Sequence, residues 1–217
     1  MFAAILRTQW KWTRGPALLG FILGFAIPLL SLFSLRSTGI GFAAANVVRE
    51  MQQYGLLYAV LAGASGLTCA MLSWGHDHRG RHVYALSLPV TRTRYAAMRL
   101  GAGAIFLLVP ALGVFLGAVI GVATAAIPTG LHAYPFSLTM RFVLASFVAY
   151  AIISAISASS TKASAYILGG IGAVVATLFL LGIAGVGQDA VSWIGQALFA
   201  EHGILSVFTG GWMLIDV

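Results

Sequence analysis

The side chains able to do chemistry gather in one stretch, residues 76–95. It holds three of the five histidines (His76, His78 and His82), together with Asp77 and four of the twelve Lys and Arg residues (Arg79, Arg81, Arg92 and Arg94). Imidazole and carboxylate are suitable ligands for a divalent metal. Two features oppose that use. An H-x-H pair points to opposite sides of a helix, and four neighbouring guanidinium groups repel a cation. The competing reading is a set of polar residues at a membrane–water boundary. All five histidines lie outside the apolar runs or at their edges, which argues against haem ligation within a span. No G-x-x-x-x-G-K-[ST] phosphate loop is present. No carboxylate falls deep within an apolar run, where proton relays and ion-coupled pumps place them. Serines and threonines within these runs read as helix-packing contacts rather than nucleophiles. No catalytic, cofactor-binding or metal-ligating residue is therefore assigned.

The elements around this stretch are dictated by composition. The chain has 217 residues, 60% hydrophobic and 8% charged, with a mean hydropathy of +0.96. Soluble domains carry about a quarter charged residues. The shortfall indicates an all-α, polytopic membrane helical bundle, a single transmembrane domain over residues 1–217. At roughly 20 residues per span there is room for five or six. The net charge of +7 does not point to nucleic acid, because the positive residues flank apolar runs, as membrane topology requires. The single cysteine, Cys69, lies inside an apolar run and rules out an intrachain disulfide.

Residues 1–14 place Arg7, Lys11 and Arg14 at i, i+4 and i+7, on one face of a helix, with Phe2, Ile5, Leu6 and Trp10 largely on the other. This is the pattern of an interfacial helix lying on an anionic membrane surface, the alternative being a basic flank before a first span. A signal peptide ending near Ala43-Ala44-Ala45 is rejected, because the apolar run is too long and its supposed cleavage site too distant. Gly15-Pro16 is expected to start span one, residues 16–35, with a kink at Pro28. A polar connection over 36–55 precedes span two, 56–74, whose Gly63, Ala64, Ser65 and Gly66 favour close helix approach. Span three covers 100–127, a second connection 128–141, span four 142–159 and span five 163–186. Residues 188–217 are expected to form an outward re-entrant segment or a partial sixth span, with Trp193, Ile194, Ala197 and Leu198 on one face of a short helix.

Charge then fixes orientation. With a cytoplasmic N-terminus, the inner side receives Arg7, Lys11, Arg14, Arg79, Arg81, Arg92, Arg94, Arg99 and Lys162, leaving Arg36, Arg49 and Arg141 outside. Nine against three is a strong positive-inside bias, and it makes the 76–95 loop cytoplasmic. Absence of an internal repeat disfavours an inverted-repeat secondary transporter. Within the loop, residues 76–86 are able to extend span two as a helix. Tyr84, Leu86 and Leu88 form an apolar knuckle, Pro89 ends the helix, and Thr91 or Thr93 is placed to cap the next. Arg92, Arg94 and Arg99 are expected to snorkel at the bilayer edge.

Asp77, Gly80 and the run Tyr84-Ala85-Leu86-Ser87-Leu88-Pro89-Val90-Thr91-Arg92, followed by Tyr95, resemble the loop between spans two and three of type 2 ABC transporter permeases. The likeness covers about 20 residues; elsewhere it is one of hydropathy and span order. It implies that the loop is a coupling helix docking into a cytoplasmic ATPase, with Tyr84, Leu86, Ser87, Leu88, Pro89, Val90 and Arg92 as the coupling residues. It also implies that residues 1–14 are the family's interfacial helix, and that the 189–201 region is its outward re-entrant segment. A complete sixth span and basic tail are not visible here.

The function expected is that of a permease subunit of an ATP-driven exporter in the bacterial inner membrane. Such a subunit is not itself an enzyme and holds no cofactor of its own. ATP and Mg would be bound by partner ABC ATPase subunits, and a second permease chain, identical or homologous, would complete the path. Lipid is the remaining partner, with no nucleic acid. The alternative is a non-transport structural or assembly subunit of a larger membrane complex. A third idea is a membrane-embedded enzyme using the histidine loop.

Overall fold

A helix satisfies its backbone polar groups within one apolar segment, so it can cross lipid without a partner strand. The computed structural model is accordingly built from long helices, and it describes residues 2–37, 44–79, 91–125, 127, 130–158, 161–184, 192–193, 196–198, 200, 203, 205–209 and 211–216. Helix α1 spans Phe2–Ser37, α2 Ala44–Arg79, α3 Arg92–Thr124, α4 Pro135–Ser157 and α5 Thr161–Ala184. Each contains a stretch long and apolar enough to cross a membrane, which makes the chain a multi-pass, all-α membrane protein. Two short strands accompany the helices. β1 (His132–Ala133) and β2 (Ile215–Asp216) pair antiparallel, His132 opposite Asp216 and Ala133 opposite Ile215.

Helices α1 and α2 have 36 residues each, so at 1.5 Å per residue each is about 54 Å long, well beyond the roughly 30 Å hydrocarbon core. Two boundaries therefore differ from expectation. Helix α1 runs unbroken through Gly15 and Pro16, with no joint between residues 2–14 and span one. Its first turns pack into the bundle through Ile5, which is buried with Tyr95 and Ala102. Likewise, residues 44–55 are not a connection but the first turns of α2, because Val47 and Met51, four apart, bury themselves in the main core. Three apolar side chains, Ile5, Val47 and Met51, thus outweigh the polar residues around them in setting where these helices begin.

The core lies between α1, α2, α3 and α4, with the closest packing between α1 and α3. There, a Cβ on Gly24 would sit 2.9 Å from the Pro110 carbonyl oxygen, and Cβ atoms on Gly113 and Gly117 would collide with the Phe21 and Phe25 carbonyls. Small residues spaced four apart let the two backbones touch. Gly66 does the same between α2 and α4, where an added Cβ would meet Ala149 Cβ at 2.8 Å. Helix α5 stands apart, with no residue of Ala165–Ile183 buried.

Within the C-terminal part, the described residues 192–193 and 196–198 are helical. No helix crosses or re-enters over its described residues 205–216. Ser206–Phe208 form a single 3₁₀ turn, and the chain then extends into β2. Trp212, Leu214 and Ile215 are buried in the main core, and the Tyr134 amide donates to the Leu214 carbonyl at 2.8 Å. The segment is a strap across the end of the bundle formed by α2 and α4. It is anchored by extended pairing because the glycine-containing stretch before Trp212 does not sustain a helix. Residues 188–191 and 194–195, with Asp189 and Ile194, lie outside the described residues, as do Glu201 and His202.

Candidate functional site

The structure has a loop end, where α2 stops and α3 starts, and a strap end. At the loop end, Arg99 decides the local arrangement. It follows Tyr95 by one turn of α3 and precedes Ala102 and Phe106, all on the buried face. Instead of snorkelling to the bilayer edge, it turns inward and is only 5% exposed. Its Nε donates to the Ser73 carbonyl at 2.8 Å, and Nη2 donates to the same oxygen. Nη1 donates to the Tyr95 hydroxyl. The guanidinium carbon lies 5.7 Å from the Trp74 ring centre and 5.6 Å from that of Tyr95. A planar cation in low dielectric is held well by such a mixture of carbonyl acceptors and aromatic faces.

Other helices join the same layer. From α1, Gln9 Nε2 donates to Ser73 Oγ, while the Thr13 hydroxyl donates to the Gln9 carbonyl at 3.0 Å. From α2, Ser73 Oγ donates to the Cys69 carbonyl at 2.7 Å, and the Cys69 thiol donates to the Gly103 carbonyl at 3.5 Å. From α4, the Tyr150 hydroxyl donates to the Arg99 carbonyl at 3.3 Å. Four helices are thus joined by polar contacts at one level, about two turns inside the loop. Gln9 Oε1, Trp74 Nε1 and Ser154 Oγ are buried there without a partner among the described residues. Chemically the layer is a joint: its paired donors are spent inside the protein, on backbone carbonyls, side-chain hydroxyls and aromatic rings.

The residues expected to act at the loop end are partly accounted for. Arg7, Lys11, Arg14 and Arg94 are exposed, with Arg7, Lys11 and Arg14 sharing the outward face of α1. Ile5 is buried and Leu6 half-buried on the inward face, but Phe2 and Trp10 remain exposed, and the inward stripe continues through polar Gln9 and Thr13. Tyr84, Leu86, Ser87, Leu88, Pro89 and Val90 lie outside the described residues. Arg92 is the first residue of α3, its side chain likewise outside them. Thr91 occupies the N-cap position with extended backbone but makes no side-chain cap bond; its carbonyl accepts from the Tyr95 amide at 3.0 Å. His76 and His78 fall in the last turns of α2, with side chains outside the described residues, and His82 lies outside them altogether. Among the described residues no three His, Cys, Asp or Glu side chains converge.

The strap end has its own cation. Arg141, on α4, donates from Nε to the Val207 carbonyl at 3.2 Å and from Nη1 to the Gly211 carbonyl at 2.9 Å. Its Nη2 donates to the Thr209 carbonyl, and the guanidinium stacks 5.2 Å from the Trp212 ring centre. The Trp212 indole N–H in turn donates to the Phe208 carbonyl at 3.2 Å. Sequence reasoning treats Arg141 and Arg99 only as topology markers. For Arg99, the buried spacing Tyr95, Arg99, Ala102, Phe106 is the signal that identifies it as inward-facing. Nothing local to Arg141 foretells its partners, which lie 66–70 residues away. Comparison with protein-family models, curated proteins and solved structures returns no match.

Proposed function

We propose that this chain is the permease subunit of an ATP-driven ABC exporter, lying in the bacterial inner membrane with a cytoplasmic N-terminus. The carrying observation is how the segment before α3 is mounted. Residues 80–90 join the two helices that Arg99 pins together, so a force applied to that segment acts on a braced hairpin rather than a loose loop. The resemblance of Leu86-Ser87-Leu88-Pro89-Val90-Thr91-Arg92 to a coupling loop supplies the partner, a separate ATPase carrying ATP and Mg. The exposed row of Arg7, Lys11 and Arg14 on α1 lies at the same end of the bundle, suited to anionic headgroups. A second permease chain completes the path.

Purification in mild detergent, followed by mass spectrometry of accompanying proteins, tests this reading. A P-loop ATPase in near-equal amount is expected. Other membrane subunits without an ATPase would make the chain a structural or assembly subunit instead. Leu86→Asp combined with Leu88→Asp is expected to leave the protein inserted while abolishing the link between ATP hydrolysis and transport. Normal transport by that variant refutes the coupling assignment.

A further inference from the structure

Building on the permease reading, we propose that Arg99 is a positioning residue that makes α1, α2, α3 and α4 move as one body when the 80–90 segment is driven, leaving α5 outside that body.

Arg99 is the member of the layer that touches both α2 and α3 through side-chain bonds and α4 through its backbone. Its guanidinium grips the Ser73 carbonyl of α2 by two N–H groups, its own carbonyl receives Tyr150 of α4, and Gln9 of α1 closes on Ser73 Oγ. A polar contact surrounded by apolar side chains is hard to exchange for water, because no solvent is at hand to replace the partner. Beside it the helices are closely packed. The Tyr150 ring lies against Gly103, where a Cβ has no room, and Cys69, Ala70, Phe106, Leu107 and Tyr150 form a buried cluster. Independent sliding of any one helix breaks bonds at this level and opens that cluster. Rigid rotation of all four breaks none. No residue of α5 takes part in the layer's hydrogen bonds given above, and Ala165–Ile183 has no buried position, so α5 is tied to that body only weakly, where it follows α4.

Cys69 is a built-in reporter. It is the only cysteine in the chain and is buried one turn from Ser73. The adjoining cavity, lined by Thr13, Ser65, Cys69 and Pro110 among others, holds about 20 Å³, room for one water and none for a maleimide. The experiment uses the full chain with its copurified partners in lipid nanodiscs and follows N-ethylmaleimide labelling of Cys69, with and without ATP plus vanadate. Wild type is expected to label slowly, with rates within twofold in the two states. Arg99→Lys keeps the charge but loses the two-pronged grip. It is expected to label near the wild-type rate without nucleotide and at least tenfold faster with it. A mere folding defect raises both rates together and does not give that pattern. Arg99→Gln is expected to label at least tenfold faster in both states.

A tenfold rise in wild-type labelling on ATP overturns the proposal, because the helices then part at this level. So does wild-type behaviour in both variants, or equal acceleration of Arg99→Lys in both states. Failure of the permease reading shows separately, as preparations without ATP hydrolysis. The joint itself is then judged on the nucleotide-free rates of variants that keep the wild-type gel-filtration profile and thermal midpoint: a fast Arg99→Gln that stays folded supports it, and a slow Arg99→Gln removes it.

Discussion

Replacing Arg141 by alanine should release the strap from the end of the bundle. The side chain makes three hydrogen bonds to strap carbonyls, of Val207, Thr209 and Gly211, and one stacking contact with Trp212. The site is half-buried, so the freed carbonyls are able to find water. Each bond then contributes near the ordinary net value of about 1 kcal/mol rather than the larger charged-group figure, and the ring contact about 0.5–1 kcal/mol. The sum, about 3.5–4 kcal/mol, is an upper bound, since contacts sharing one group are not additive. About 2–3 kcal/mol is the expected loss, equivalent to a roughly 30- to 150-fold rise in the open population. The strap keeps the anchors that Arg141 does not supply: the β1–β2 pairing and the burial of Trp212, Leu214 and Ile215. The protein should therefore stay folded while the strap opens more often. Met213, partly buried against the core, is a suitable reporter as Met213→Cys, with Cys69 shielded inside the bundle. Maleimide labelling of Met213→Cys in nanodiscs should accelerate 30- to 150-fold on adding Arg141→Ala. Arg141→Lys, able to reach fewer carbonyls at once, should fall between. Equal labelling rates with and without Arg141→Ala would falsify the clamp.

Other expectations follow from the same contacts. Gly113→Val and Gly117→Val should each drive α1 from α3, because a Cβ collides with the Phe21 or Phe25 carbonyl; fluorescence-detected gel filtration should show loss of the monodisperse peak, while Gly170→Ala, in open space, should leave it unchanged. Tyr150→Phe removes one long bond of 3.3 Å and should cost under about 1 kcal/mol, seen as a small fall in thermal midpoint with folding intact. Trp212→Ala empties a buried position of the strap and should cost about 3–5 kcal/mol, lowering the thermal midpoint far more than Tyr150→Phe. Arg49→Cys and Arg94→Cys, both at exposed positions near opposite ends of the α2–α3 hairpin, should label from opposite sides of the membrane with an impermeant maleimide, Arg94→Cys from the cytoplasmic side.

The sequence by itself determines the class of architecture and bounds the number of spans at five or six. Runs of apolar residues in lipid must close their own backbone hydrogen bonds, and helix is the one local solution. It also marks which residues permit close packing: Gly66 is legible as a small residue in α2 and proves to be where α4 approaches. Helix ends are less legible. Hydropathy suggests a joint at Gly15-Pro16 and a connection at 36–55, yet Ile5, Val47 and Met51 bury themselves against other helices and carry the helices past those points. Tertiary contacts decide the partners of the two arginines, although the helical spacing of Arg99 with Tyr95, Ala102 and Phe106 places it on the inward face. Both read as flanking charges, because charge near an apolar run implies a water-facing position. Arg99 instead meets the Ser73 carbonyl and the Trp74 ring across a helix interface, and Arg141 meets a strap some 70 residues away. The fate of the last residues is decided the same way. Trp212, Leu214 and Ile215 are apolar enough for a helix, but they are held instead by the pairing of β2 with β1 and by burial in the core shared with α2. A short extended segment that satisfies both is stable only once the bundle exists to receive it.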